Sequence, residues 1–130
     1  MAGNTQRFIV PAQLAEQIPH HDMSRASEEL GPAYFYMSNS LVPEADIYAS
    51  GRHVKQVPVD FKPHIEPHKH QVSKVYIILG DLTVELILDG EKHEFSGPAG
   101  IFIPAGMMHT IRPLRGSGYI TTVMRSGKYE

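Results

Sequence analysis

The chain of 130 residues contains no cysteine. Disulfides, thiolate metal sites and cysteine nucleophiles are therefore all excluded. No apolar run approaches the roughly 20 residues needed to span a bilayer. Neither charge sign dominates: 12 basic residues face 14 acidic ones, for a net charge of −2. That balance argues against a nucleic-acid-binding or polybasic membrane surface. The amino-terminal stretch carries no apolar segment of the secretory type, and Gly3 does not directly follow Met1, as myristoylation would require. A cytoplasmic protein is the default expectation. Internal repeats, low-complexity tracts and Ser/Gly linkers are missing as well, so a single domain over 1–130 is expected.

Other features are abundant. Hydrophobic residues make up 42% of the chain, which excludes a disordered polymer. There are eight histidines, 11 glycines and 10 prolines. Histidine is the commonest transition-metal ligand, and dense Gly/Pro punctuation suits many short strands.

The expected elements follow from that punctuation. Arg7–Val10 reads as a short strand, and Pro11–Gln17 as one or two helical turns stopped by Pro19. Tyr34-Phe35-Tyr36-Met37 is an aromatic strand signal. From His53 onward the pattern becomes serial short strands: a weak alternation to Phe61, an extended His64–His70, then Lys74–Leu79, Thr83–Leu88, Glu91–Phe95, Ile101–Ile103, His109–Arg112 and Tyr119–Met124. Asp89-Gly90 between two such runs is a hairpin signal that pairs His93 with Leu86. Short strands at this spacing imply an all-β sandwich or barrel.

The chemistry concentrates in Pro63-His64-Ile65-Glu66-Pro67-His68-Lys69-His70. In a continuous strand His64, Glu66, His68 and His70 would share one face. Two imidazoles at i and i+2 can chelate one metal. His109, at the end of Pro104-Ala105-Gly106-Met107-Met108, is the best third ligand. Three imidazoles leave coordination positions open for water or substrate.

The stretch from about 54 to 125 resembles the cupins, small jelly-roll (double-stranded β-helix) domains. His68-Lys69-His70, with Gly80 approximately in place, resembles the family's first motif. Pro104-Ala105-Gly106-Met107-Met108-His109 matches its second, Pro-x-Gly-x-x-His. The resemblance implies a barrel core over about 54–125 behind an N-terminal extension, 1–53, that holds a short helical turn and extra strands. It also implies a divalent metal (Zn, Fe, Mn or Ni) on His68, His70 and His109, and a homodimer. The apolar Tyr34–Met37 strand is the expected partner surface, or else covers its own barrel.

The departures bear on function. The family's metal-binding Glu would fall at Lys74, Val75 or Ser73, depending on the count, and none is a carboxylate. Lys62 stands in place of the family's first glycine, and Pro113 in place of the asparagine that often ends the second motif. Either the site is a three-histidine one, as in cupin dioxygenases, or His64 or Glu66 supplies a fourth ligand. His64 lies about 13 Å from His68 in a fully extended chain and needs a bend at Pro67 to reach the metal. Glu66 is alternatively a general base or a rim carboxylate paired with Lys69 or Arg112. Lys74 is an inward base or a solvated strand-end lysine; Tyr76 shares its parity, as a proton donor or as core. Arg112, Met108 and Phe102 are the expected substrate contacts. The resemblance thus implies a metal-dependent isomerase, lyase or cyclase acting on a small oxygenated metabolite. The alternatives are a three-histidine iron oxygenase and a cupin that binds a sugar or other small molecule without chemistry.

Overall fold

A computed structural model describes residues 3–130. The myristoylation reading concerns Met1 and Ala2, which lie outside them. Nine strands follow one another: β1 (Gln13–Leu14), β2 (Ala33–Met37), β3 (Tyr48–Val54), β4 (Lys74–Leu79), β5 (Leu82–Leu88), β6 (Glu91–Ser96), β7 (Ala99–Ile103), β8 (His109–Gly116) and β9 (Gly118–Met124). They form two antiparallel sheets. One has six strands in the order β1-β2-β3-β9-β4-β7, the other three in the order β6-β5-β8. Period-2 alternation aims one face of each at a shared core. Val54, Tyr76, Ile78, Ile103 and Ile120 of the large sheet meet Leu82, Val84, Leu86 and Ile111 of the small one, all buried. Each such aliphatic side chain contributes about 1.5–3 kcal/mol on burial. The result is the expected all-β jelly roll with a short helix.

The strands after residue 73 fall where their sequence places them. The Asp89-Gly90 turn takes positive φ at both residues, 46° and 84°, as a type I′ hairpin requires. It sets Leu86 opposite His93.

Three expectations ahead of residue 73 are corrected. The weak alternation from His53 to Phe61 is not a strand: β3 ends at Val54, and 55–61, which contains Pro58, runs on as coil and turn. Arg7 and Phe8 end a 3-10 helix, Gly3–Phe8, rather than starting a strand. Ile9 stays 77% exposed, so no sheet partner rewards extension there. Pro11–Gln17 is not helical; Gln13 and Leu14 pair with Phe35 and Tyr34 at the edge of β2. The α-helix, α1, is Met23–Glu29, with the Asp22 side chain accepting from the Arg25 backbone N–H. Met23, Ala26 and Leu30, at helical spacing, are its buried stripe.

Candidate metal centre

The site is built by strapping two chain segments together. His68 and His109 exchange both backbone hydrogen bonds, at 3.0 and 2.8 Å. The Gly106 N–H donates to the His70 carbonyl at 2.8 Å from a left-handed conformation (φ 85°). The segment Pro63–His70 is therefore extended but is not one continuous strand. Ile65 bridges to His21 and His68 to His109, on either side of Glu66-Pro67. That break is why strict alternation fails along it.

His68, His70 and His109 are brought together. One nitrogen from each lies within 4.8 Å of the others, and all three residues are buried. Nδ1 of His68 lies 2.7 Å from the Glu66 carbonyl, and Nδ1 of His109 lies 2.9 Å from the Met107 carbonyl. A backbone carbonyl can only accept, so Nδ1 donates in both rings and Nε2 keeps its lone pair. Metal-ligating histidines are oriented in this way. His109 Nε2 is buried and has no hydrogen-bond partner. Burial, and then the nearby Lys74, pull the His70 and His109 pKa values down to about 4 and about 3. Burial also lowers that of His68. Neutral imidazole is the ligating form, so the donor set fits a divalent metal.

No family model matches the chain, and no curated protein sequence matches it. Solved structures do. KdgF from Halomonas sp. is 15% identical with a TM-score of 0.59, over 91% of this chain and 88% of that one. An RmlC-like cupin from Shewanella frigidimarina is 13% identical with a TM-score of 0.57, over 92% and 86%. The DMSP lyase DddQ from Ruegeria pomeroyi is 15% identical with a TM-score of 0.62. The match covers 92% of this chain and 58% of that lyase. The chain folds as a cupin.

On this cupin barrel Lys74 faces inward and is 3% exposed. Its Nζ lies 3.5 Å from His70 Nε2 and donates to the Tyr76 hydroxyl at 3.0 Å. Burial lowers its pKa to about 7, so an uncharged amine is accessible near neutrality. Tyr76 is 2% exposed, and burial raises its pKa. Lys74 and Tyr76 thus share one face, as their parity predicts.

The remaining candidates stand elsewhere. The Glu66 side chain is 80% exposed, with its carboxylate 3.8 Å from His20 Nδ1; only its backbone carbonyl reaches the site. His64 is buried but lies outside the three-nitrogen cluster, beyond the break at Pro67. Phe102 pairs with Val75 and so takes the outward parity, 64% exposed. Arg112 likewise alternates with the inward Ile111 and Pro113; it donates to Glu85 at 3.1 Å and to the Phe61 carbonyl at 3.0 Å. Met108 is a half-exposed rim residue whose backbone N–H donates to Asp89.

Three residues beside the cluster escaped the sequence reading. The Tyr129 hydroxyl lies 3.2 Å from His68 Nε2, and its ring packs edge-on to His70. It is delivered by the segment after β9, which is held down by the Asn39 N–H donating to the Gly127 carbonyl at 2.6 Å. His20 stacks on His68 at 4.9 Å, and His21 lies 5.9 Å from the same ring. Their one sequence signal is the pairing of two histidines after Pro19.

Proposed function

We propose that the chain is a metal-dependent cupin enzyme acting on a small oxygenated metabolite by a redox-neutral isomerisation, elimination or cyclisation. The observation that carries this reading is the convergence of His68, His70 and His109, two of them with Nδ1 tied to a backbone carbonyl. A divalent ion held there would polarise a carbonyl or enolate oxygen. The protein's own work lies next to it. Lys74 Nζ, between His70 and the Tyr76 hydroxyl, is the group best situated to take a proton from substrate carbon or oxygen and return it. Tyr76 orients that amine by accepting its hydrogen bond. Ile103, the buried cross-strand neighbour of Lys74, shields one side of the amine from bulk water.

Elemental analysis of protein purified without added metal tests the ligand set. About one divalent ion per chain is expected. Less than about a tenth, unrestored by Zn or Fe, would sink the assignment. Replacing any of the three histidines by Ala should remove the ion while leaving the fold intact by circular dichroism. Among the described residues no carboxylate joins the three-histidine cluster, which favours one second reading, a three-histidine iron oxygenase. Turnover under nitrogen eliminates it; obligatory oxygen uptake would replace the leading reading with it.

The proposed assembly is a homodimer. β1 covers part of the β2 edge, so the aromatic strand is partly used within its own chain. The outward faces of β4, β7 and β9 instead expose Leu79, Phe102 and Tyr119, at 46%, 64% and 38%. A second copy of the chain is the occupant proposed for that surface.

A further inference from the structure

The barrel also holds a partly open space alongside Tyr76. It is a cavity of about 50 Å³ bordered by Arg52, His64, His21, Ser50 and Tyr76, with Ile65, Ile111 and Ile120 among its apolar walls. Inward positions of β3 alternate Tyr48, Ser50, Arg52 and Val54, which puts a full cation into the interior. Arg52 is 6% exposed. Its Nη1 donates to Ser27 Oγ at 3.0 Å and to the Gly31 carbonyl at 2.7 Å; its Nη2 has the Met23 thioether at 3.6 Å. All three acceptors are neutral, and a thioether is a weak one. Every ion pair found among the described residues involves another cation, and no carboxylate borders the cavity. A buried guanidinium whose charge no anion balances carries a large desolvation cost.

A second observation points the same way. His64 is 6% exposed, and its Nδ1 is buried with no partner. Its backbone is held by the Asp22 N–H, which donates to the His64 carbonyl at 2.7 Å. In the Nδ1–H tautomer this ring offers a donor that nothing in the protein accepts.

We propose that this cavity is a carboxylate subsite, with the Arg52 guanidinium as its anchor and His64 as a second donor. The size agrees: at about 10–15 Å³ per water, the space takes roughly four small atoms, enough for a carboxylate and the carbon that bears it. With both Nη1 protons given to Ser27 and Gly31, the Nε–Nη2 edge of the guanidinium is the one left to pair with a planar carboxylate, which it matches better than a spherical ion. Tyr76 borders the cavity on one side and lies 6.1 Å, ring to ring, from His109 on the other. A short carboxylic acid anchored at Arg52 would therefore extend past Tyr76 toward Lys74 and the histidines. This inference rests on the reading of the barrel interior as a small-molecule site, and narrows the substrate class to small carboxylates.

The test is a nitrogen-15 NMR titration of the full chain with acetate, with neutral acetamide as its isostere and chloride as a spherical anion, in metal-free and zinc-loaded protein. Zinc content is measured separately. Saturable acetate binding is expected in both forms, weakened at least about tenfold for acetamide, for chloride and in Arg52→Gln. Should Arg52→Gln fail to fold, Ser50→Val narrows the cavity with the guanidinium intact and should weaken acetate by a similar factor. Acetate binding retained in folded Arg52→Gln, or in Ser50→Val, overturns the subsite. Binding confined to the zinc-loaded protein overturns it too, since the anion is then on the metal, whose assignment stands. Acetate binding to a chain that takes up no zinc upholds the subsite while the metal reading fails.

Discussion

Lys74 occupies a position where the cupin motif carries a metal-binding glutamate by one count of the spacing. The substitution exchanges a ligand of negative charge for an amine that is cationic in water. Inside the barrel that amine is buried against His70 and Tyr76, and its pKa sits near 7. Its charge is therefore cheap to remove when a cation arrives. Two variants separate its roles. Lys74→Met keeps most of the packed stem and removes the amine. Metal content by elemental analysis should be unchanged, while turnover of any substrate found for the wild-type chain falls by about 10²–10⁴-fold. Lys74→Glu should restore a carboxylate to the ligand set and raise zinc affinity at least about tenfold in competition with a chromophoric chelator, without restoring turnover. A methionine variant that loses its metal would instead make Lys74 a ligand.

At the scale of elements, the site depends on the backbone straps that join the Pro63–His70 segment to the start of β8. Gly106 is the sensitive link. It has positive φ and nothing within 4 Å of the position a Cβ would take, so a side chain there meets backbone strain alone. Gly106→Ala should lower stability by about 1–2 kcal/mol in a denaturant titration, and weaken zinc binding through the lost register of His70. The same scale explains what could be read from residues in order. Most of the strands from Lys74 to Met124 were legible as short apolar or alternating runs closed by Gly, Pro or Asp-Gly; the polar β6 was legible only through the Asp89-Gly90 turn that pairs it with β5. The two partial histidine motifs likewise located the three clustered imidazoles. Glu66 was not legible, because the alternation that would turn it inward presumes a continuous strand, and the chain breaks at Pro67. Phe102 was misjudged for the opposite reason: its strand is regular, and only the pairing of Lys74 with Ile103 reveals that Phe102 takes the outward face. α1 begins at Met23, beyond the Pro11–Gln17 segment chosen for it, since Gln13 and Leu14 found a sheet edge supplied by the sequence-distant Phe35 and Tyr34. Tyr129 and Arg52 reach the interior from segments without any motif, through tertiary folding that no local spacing encodes.

At the scale of the whole molecule, the outward face of the large sheet exposes Leu79 beside Tyr119 at one end of β4 and Phe102 beside Val75 at the other, with Ile77 between them. Sedimentation velocity at micromolar concentration should give a dimer, and Phe102→Glu should shift it toward monomer without altering metal content. A wild-type monomer under these conditions overturns the proposed assembly. No helix among the described residues is long and apolar enough to cross a membrane.

The placement of Tyr129 has a kinetic consequence. Its hydroxyl engages the same His68 nitrogen whose lone pair an ion would take. On the proposed ligand set, phenol and metal would therefore compete, and loading would be an exchange in which one leaves as the other arrives. The segment after β9 would then set the pace of metallation. Tyr129→Phe should hasten zinc uptake in stopped-flow measurements. In the wild-type protein, amide exchange across 126–129 should quicken once zinc is bound.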